Sequence, residues 1–176
     1  MCSSDLAVGA RFVVFSGFDA DGQCLYLAPL ANPWTASAEP VRISVPTHSW
    51  ETAGAPINEG PAVLHRNGTT FLVYSAAASW TPDYCLGMLV NTDGDYLNPA
   101  AWTKHPQPVF QRWDANEAFC VGHNSFTTSP SGAEDWIVYH ATGDPAGNQW
   151  PLRSTRIQRF GWNADGTPRF GVPVPA

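Results

Sequence analysis

Short runs of apolar residues, separated by turn residues, dominate the hydrophobic pattern of this chain. Three runs are nearly interchangeable: Phe12–Ser16 reads Phe-Val-Val-Phe-Ser, Phe71–Ser75 reads Phe-Leu-Val-Tyr-Ser, and Trp136–His140 reads Trp-Ile-Val-Tyr-His. Short runs rich in Val and aromatic residues, bounded by Gly, Pro, Asn and Asp, are typical of β-strands. Because the apolar spacing of a helix is nearly absent, the pattern predicts an all-β fold.

The three runs belong to a repeated order of elements. Each is followed by a second predicted strand, and turns at Asn67-Gly68 and Ser131-Gly132 precede the last two runs. A unit of about 60 residues with several antiparallel strands suits one blade of a β-propeller. A β-sandwich also explains strands and turns, but it does not explain the repeated order, so the propeller is favoured. The second strands are Cys24–Pro29, Cys85–Val90 and Ser154–Phe160.

The length of the chain does not fit a closed propeller. Its 176 residues hold about three such units, whereas propellers typically close with four to eight blades. The first unit also begins abruptly, at what we interpret as its third strand. We therefore expect residues 7–176 to be an incomplete β-propeller domain, the C-terminal part of a longer protein. Residues 1–6, Met-Cys-Ser-Ser-Asp-Leu, match the translation of a common sequencing adapter, and we expect an artefact there.

Charge and cysteine content exclude several classes of protein. Lys and Arg number 9 against 15 Asp and Glu, a net charge of −6, which argues against nucleic acid as a partner. No apolar run approaches the ~18 residues of a membrane span, and the start lacks the features of a signal peptide. The four cysteines form no Cys-x-x-Cys pair, so four free thiols are favoured over two scattered disulfides.

Two polar positions lie at the start of successive units. Glu59 precedes Gly60 and Pro61 at the start of the second unit, and His123 takes the same place in the third. Because a blade begins at the central axis, we expect both side chains to face an axial pocket. The plainer alternatives are an exposed loop glutamate and a structural histidine. Arg153 and Arg156 are three residues apart on a predicted strand, so only one of them faces the axis.

Taken together, these stretches resemble glycoside hydrolase family 43, most closely its α-L-arabinofuranosidase and exo-arabinanase members. Each motif is weak alone, but their order and spacing are specific, and the resemblance covers about residues 11–174. The matching stretches include Asn58-Glu59-Gly60-Pro61, Gly122-His123-Asn124-Ser125, Trp136-Ile137-Val138-Tyr139-His140-Ala141, Arg153-Ser154-Thr155-Arg156-Ile157-Gln158 and Trp162-Asn163-Ala164-Asp165-Gly166-Thr167-Pro168.

The resemblance implies a five-bladed β-propeller and a catalytic mechanism. It implies inverting hydrolysis of terminal α-L-arabinofuranosyl, or β-xylosyl, residues of plant cell-wall hemicellulose, with no required cofactor. Family members use an Asp base, a second Asp and a Glu acid, and Glu59 matches the acid. The family's two Asp lie in its first blade and at the start of its second. Asp19 and Asp21 match neither, so we expect this chain to be inactive alone.

Other site residues follow from the same resemblance. His123 matches a central histidine that binds a water or a calcium ion in several members, which makes it a candidate metal ligand at the propeller centre. Arg153 matches an arginine that contacts the sugar, and Arg156 is the alternative match. The expected partner is an oligo- or polysaccharide containing arabinose or xylose, and neither nucleic acid nor a membrane. A secreted or periplasmic location is favoured over the cytoplasm.

Aromatic side chains are candidates for the walls of sugar subsites. Sugar rings stack on aromatic rings, and the candidates are Tyr84, Trp80 and Trp113, of which Trp80 lies in a predicted loop after a strand. Ordinary packing in the protein is the alternative for each of the three. A propeller that binds carbohydrate without cleaving it is the alternative function. It keeps these aromatic residues but gives Glu59 no role as an acid.

Overall fold

The computed structural model describes residues 2–7, 10–148 and 150–175, and over these ranges the chain is built almost entirely of antiparallel strands. All six strands expected from the apolar runs are present, which confirms the all-β prediction. The strands are β1 (Cys2–Ala7), β2 (Ala10–Asp19), β3 (Gly22–Asn32), β4 (Thr35–Ala36), β5 (Val41–Ser44), β6 (Asn58–Arg66), β7 (Thr69–Ala76), β8 (Cys85–Asn91), β9 (Thr103–Lys104), β10 (Phe119–Thr128), β11 (Asp135–Thr142), β12 (Ser154–Trp162) and β13 (Pro168–Arg169).

Short 3₁₀ helices interrupt the connections between strands. Each is three residues long, and none in the described part of the chain is long and apolar enough to cross a membrane. They span Ser49–Glu51, Pro99–Ala101, Asp114–Asn116 and Trp150–Leu152.

The described strands form three sheets in chain order. The first runs β1-β2-β3-β4, with β5 also on β3, the second runs β6-β7-β8-β9, and the third runs β10-β11-β12-β13. Apart from β5, the strands of each sheet therefore pair with their neighbours in the chain, as the repeated units predicted. The expectation that the first unit starts at its third strand is wrong, because β1 pairs with β2, which makes β2 the second strand.

β1 consists mainly of residues that we interpreted as an adapter artefact. Its backbone pairs with β2 in antiparallel register, with Cys2 opposite Val14. Met1 lies outside the described residues. The origin of residues 1–6 and the domain boundary at residue 7 both stay predictions.

The second sheet lies between the other two, and this explains its almost continuous apolar sequence. Along β7, Leu72 and Tyr74 pack in a cluster with residues of the first sheet, whereas Phe71 and Val73 pack in a cluster with residues of the third. Successive side chains of a strand point to opposite faces, so a strand that is buried on both faces needs apolar residues at every position.

Backbone hydrogen bonds join the sheets near the start of β6 and β10. Gln23 at the start of β3 forms a parallel bridge with Ile57, just before β6. The backbone N–H of Val121 in β10 donates to the carbonyl of Tyr84 at 3.0 Å. The connection between β7 and β8 thereby lies along β10, and it brings the second and third sheets together.

Each sheet contains one free, buried cysteine among the side chains that the structure describes. Cys24 lies in β3, Cys85 in β8 and Cys120 in β10. Burial raises the pKa of all three thiols, to about 11 for Cys24 and to about 12 for Cys85. All three thiols therefore stay protonated at neutral pH.

Candidate active site

Glu59 lies at a β-bulge in β6. It pairs with Ser75, and Ala62 pairs with Val73, so Gly60 and Pro61 together occupy the space of one residue on β7. Gly60 has φ +54°, a conformation that glycine adopts without steric cost. Pro61 has no N–H to contribute to the ladder, which suits a bulge. The bulge interrupts the regular pairing next to Glu59, whose side chain is half-buried.

His123 lies at a second bulge, in β10. Gly122 pairs with His140 and Ser125 pairs with Val138, so His123 occupies the position that Gly60 has in β6. Its φ of +52° is uncommon for a residue with a side chain. Glu59 therefore corresponds to Gly122 rather than to His123, one residue away from the equivalence that the sequence indicated.

The two bulges face each other across the boundary between the second and third sheets. A Cβ on Gly60 would lie 3.2 Å from the Cε1 and Nδ1 atoms of His123. The backbone N–H of His123 donates to the Ser75 hydroxyl at 2.7 Å, which ties the second bulge to β7. The fold therefore brings Glu59 and His123 together, although they are far apart in the sequence.

A cavity of about 510 Å³ opens at this point. Its walls come from all three sheets, and of the described residues that line it Glu59 is the one carboxylate. The lining residues are Val13, Val14, Phe15, Ser16, Glu59, Gly60, Pro61, His123 and Asn124.

The two carboxylate oxygens of Glu59 have different partners. The Tyr84 hydroxyl donates to Oε1 at 2.7 Å, which is a short hydrogen bond. Oε2 receives a longer contact from Gln23 Nε2 at 3.4 Å, and the same amide donates to the Ser16 hydroxyl at 3.0 Å. Oε1 is therefore firmly held, whereas Oε2 is weakly engaged.

Tyr84 is fully buried, which corrects its expected place in a sugar subsite. Its ring stacks on His140 with a centroid distance of 5.6 Å and an angle of 3° between the planes, and His140 in turn lies 6.5 Å from His123. A ring covered in this way has no free face for a sugar. The hydroxyl of Tyr84 is the part that reaches the site, 3.5 Å from His123 Nδ1.

The groups behind Glu59 stay uncharged near neutral pH. Burial, followed by electrostatic interactions with Arg153 and His123, lowers the pKa of His140 to about 4. Burial, followed by the negative charge of Glu59, raises the pKa of Tyr84 well above its ordinary value of 10. Tyr84 thus keeps its proton and remains a hydrogen-bond donor.

Arg153 lies just before β12, outside the lining of the cavity. Its Nη2 donates to the carbonyl of Ser79 and to Cys120 Sγ, and its guanidinium lies 5.4 Å from the centroid of the Trp150 ring. Arg156 is buried and donates to the carbonyl of Val174 at 2.6 Å, which is a structural contact. Of the two arginines, Arg153 is the one whose contacts lie at the connections next to the site.

The exposed tryptophans lie on connections between strands. Trp80 and Trp113 are each 47% exposed, and Trp80 follows Ser79, whose carbonyl binds Arg153. Trp150, which the sequence analysis did not select, is 56% exposed and donates from Nε1 to the same carbonyl at 3.3 Å. None of the three lines the cavity at Glu59.

The described residues around His123 do not supply the ligand set of a calcium ion. Calcium takes six to eight oxygen ligands, largely from carboxylates and carbonyls. In the described part of the chain, no three His, Cys, Asp or Glu side chains are grouped to hold a metal ion. Nδ1 of His123 lies 3.5 Å from the Tyr84 hydroxyl, and its backbone N–H donates to the Ser75 hydroxyl. We derive no step through a metal, and a water or calcium ion at His123 stays a prediction.

Asn124 and Gln23 belong to the site although the sequence analysis gave them no role. Asn124 is buried and lines the cavity, and neither atom of its side-chain amide has a hydrogen-bond partner within the described residues. An unpaired buried amide is costly, which makes Asn124 a candidate for hydrogen bonds to a ligand in the cavity. The position of Asn124 directly after His123 was the sequence signal that could have pointed to it. Gln23 gave no such signal, because it reaches Glu59 from another sheet.

Glu51 is a fully buried carboxylate behind the site, and the sequence carried no signal for it. It forms an ion pair with Lys104 at 2.9 Å and accepts a hydrogen bond at 2.9 Å from Asn58, the neighbour of Glu59. The Glu51 cluster, as we call it, connects the segment before β6 to β6, β7 and β9. Its other donors are Thr47 N, His48 N and the Tyr74 hydroxyl.

Comparison with known proteins identifies relatives over almost the whole chain. The family model described as glycosyl hydrolases family 43 matches residues 4–168. An extracellular exo-α-(1→5)-L-arabinofuranosidase from Streptomyces avermitilis is 51% identical over 157 residues, which cover 85% of this chain and 32% of that protein. An α-L-arabinofuranosidase 43 from Humicola insolens is 44% identical over 97% of this chain and 37% of its own length.

A solved structure shares the fold of this chain. The crystal structure of an α-L-arabinofuranosidase from Lactobacillus brevis superimposes with a TM-score of 0.88 at 42% identity, covering 96% of this chain and 54% of that one. The chain spans about a third of the length of the two curated relatives it matches.

Proposed function

We propose, from the premise that this chain belongs to glycosyl hydrolases family 43, that the full-length enzyme containing it hydrolyses terminal α-L-arabinofuranosyl residues with Glu59 as the general acid. The observation that supports this role is the asymmetry of Glu59 at the cavity. Oε1 is held by Tyr84 at 2.7 Å, whereas Oε2 has only a 3.4 Å contact and is available to carry a proton.

The inverting mechanism needs a second carboxylate that activates water. The two carboxyl groups of an inverting glycosidase lie about 6.5–9.5 Å apart, with the sugar and the water between them. Glu59 is the one carboxylate among the described residues that line the cavity. We therefore assign the base to a part of the full-length enzyme that this chain does not include, in keeping with a closed five-bladed propeller.

The relatives favour arabinofuranosyl substrates over the xylosyl alternative. Two curated relatives and a solved structure at 42–51% identity are named arabinofuranosidases. Arg153 and Trp80 are then the candidates for contacts with the more distant sugar units. The Streptomyces relative is named extracellular, which supports secretion of the full-length enzyme.

Replacing Glu59 with Gln in the full-length enzyme tests the acid. A general acid contributes typically 10²–10⁴-fold, so we expect a loss of this size in kcat/KM on an α-1,5-linked arabino-oligosaccharide. We expect a much smaller loss on 4-nitrophenyl α-L-arabinofuranoside, since its phenolate leaves without a proton.

Glu134→Gln is the matched control, because Glu134 pairs with Arg159 on the surface at 3.0 Å, away from the cavity. It should leave kcat/KM on both substrates unchanged. Equal losses on both substrates in Glu59→Gln, with an unchanged melting temperature, would contradict the role of Glu59 as the acid.

A further inference from the structure

We infer that Tyr84 is the positioning residue that determines which oxygen of Glu59 delivers the proton, so that Oε2 acts as the donor. The inference rests on the proposed function. That proposal names Glu59 as the acid, and the inference names the oxygen atom of Glu59 that carries the proton. It also gives a role to a buried tyrosine that cannot touch the sugar.

The first support is the rigidity of Tyr84. Its ring lies against Gly122 so closely that a Cβ there would be 2.2 Å from Cε1 of the ring. The other contact of the ring is the stack on His140, with an angle of 3° between the planes. Its carbonyl accepts from the N–H of Val121 at 3.0 Å. The backbone of Tyr84 is thus fixed against β10, and its ring is held by contacts with both β10 and β11.

The second support is the direction of the hydrogen bonds. A tyrosine hydroxyl has one proton to give, and Tyr84 gives it to Oε1 of Glu59 at 2.7 Å. The carbonyl oxygen of a carboxylic acid is a better acceptor than its hydroxyl oxygen, so this bond favours the acid form in which Oε1 is the carbonyl oxygen. The proton of the acid form therefore sits on Oε2, whose partner Gln23 is 3.4 Å away. Gln23 is also bound to Ser16, so its amide can move aside without being left unpaired.

The third support is that Tyr84 remains a donor over the working range of pH. Burial and the charge of Glu59 raise the pKa of its hydroxyl well above 10. His123 Nδ1 is 3.5 Å from the hydroxyl, too far to compete with Oε1 for its proton. Tyr84 therefore donates to Oε1 over the whole pH range in which Glu59 acts as the acid.

The test compares kcat and KM of Tyr84→Phe in the full-length enzyme on two substrates. Without the hydroxyl, the Glu59 carboxyl loses its fixed orientation, so we expect kcat on an α-1,5-linked arabino-oligosaccharide to fall by about 10- to 100-fold. KM should stay unchanged because Tyr84 is fully buried. kcat on 4-nitrophenyl α-L-arabinofuranoside should change by less than about threefold, because its leaving group departs without the proton.

Tyr139→Phe is the matched control. Tyr139 is a buried tyrosine in β11 whose hydroxyl donates to Gln158 at 2.7 Å, away from Glu59. Partial unfolding lowers the rate on both substrates by the same factor, so the ratio between substrates is independent of folding. A Tyr84→Phe enzyme that keeps the wild-type ratio would overturn the inference. If Glu59→Gln also keeps that ratio, the proposed function fails as well.

Discussion

At the scale of single residues, the Glu51 cluster shows how a buried charge is maintained. Burial opposes ionisation of Glu51, but the N–H of His48, the Lys104 ammonium and the Tyr74 hydroxyl together outweigh it and hold its pKa below the ordinary value of 4.5. The side chain is completely inaccessible to solvent. Removing one partner of such a pair leaves the other charge buried and unpaired, which costs about 3–5 kcal/mol.

Glu51→Gln should therefore destabilise the full-length enzyme at pH 7 and leave Lys104 unpaired. We expect the free energy of unfolding to fall by about 3–5 kcal/mol, as measured by chemical denaturation. Because the pKa of Glu51 is lower in the folded than in the unfolded chain, its ionised form contributes stability above about pH 4.5, and this is lost as the pH falls through the folded pKa. The difference in unfolding free energy between wild type and variant should become smaller below pH 4.5.

Glu39→Gln provides the comparison for this effect, since Glu39 is exposed. Its free energy of unfolding should be within about 0.5 kcal/mol of the wild-type value at each pH, as expected for a surface substitution. A Glu51→Gln enzyme as stable as Glu39→Gln at pH 7 would show that the buried ion pair contributes no net stability.

Individual residues were the least predictable level from the sequence. Glu59 and His123 could be placed near each other because the repeated units put both at the start of a blade. The burial of Tyr84 and the ion pair of Glu51 could not be predicted, because each depends on a partner far away in the chain. Tyr84 binds Glu59 across 25 positions and Glu51 binds Lys104 across 53.

At the scale of elements, two bulges interrupt the regular pairing of the strands that carry the site. Both have a left-handed residue at the same position, Gly60 in β6 and His123 in β10. The apolar runs were sufficient to predict β7, β8, β11 and β12. The bulges were not predicted, because Gly60 and Pro61 also fit the start of a strand, and His123 has a side chain at a position that usually favours glycine.

Gly60→Ala should reduce catalysis more than it reduces stability. An L-residue in this conformation costs roughly 1–2 kcal/mol, and the new Cβ would lie 3.2 Å from the ring of His123. The resulting shift of the neighbouring Glu59 should lower kcat/KM of the full-length enzyme about 10- to 100-fold.

Gly68→Ala separates backbone strain from the contact with His123. Gly68 also has a positive φ, +80°, but a Cβ there would meet no atom within 4 Å. It should lower the melting temperature by a similar amount and leave kcat/KM unchanged. Equal activity of the two alanine variants would mean that the bulge in β6 does not position Glu59.

At the scale of the whole molecule, the cavity is built by all three sheets but holds one acidic side chain among its described residues. β2 provides much of its apolar wall, β6 provides Glu59, and β10 provides His123. The number of similar units was predictable from the spacing of the apolar runs. The way in which the sheets share the cavity was not, because it depends on contacts between the units.

The 176-residue chain, expressed alone, should not release nitrophenol from 4-nitrophenyl α-L-arabinofuranoside above background. The reason is that inversion needs two carboxyl groups about 6.5–9.5 Å apart, and Glu59 is the one described acid at the cavity. The full-length enzyme at the same concentration is the positive control. Nitrophenol release by the purified chain that a mock purification without the chain does not show would refute this prediction.

The placement of one buried thiol in each sheet has a consequence for following how the molecule opens. Cys24, Cys85 and Cys120 are protonated and enclosed in the folded chain, so an alkylating reagent reaches each one only when its surroundings separate. Mass spectrometry of the labelled peptides distinguishes the three sites by sequence. The order in which they are alkylated therefore reports the order in which the three sheets come apart, without any engineered probe.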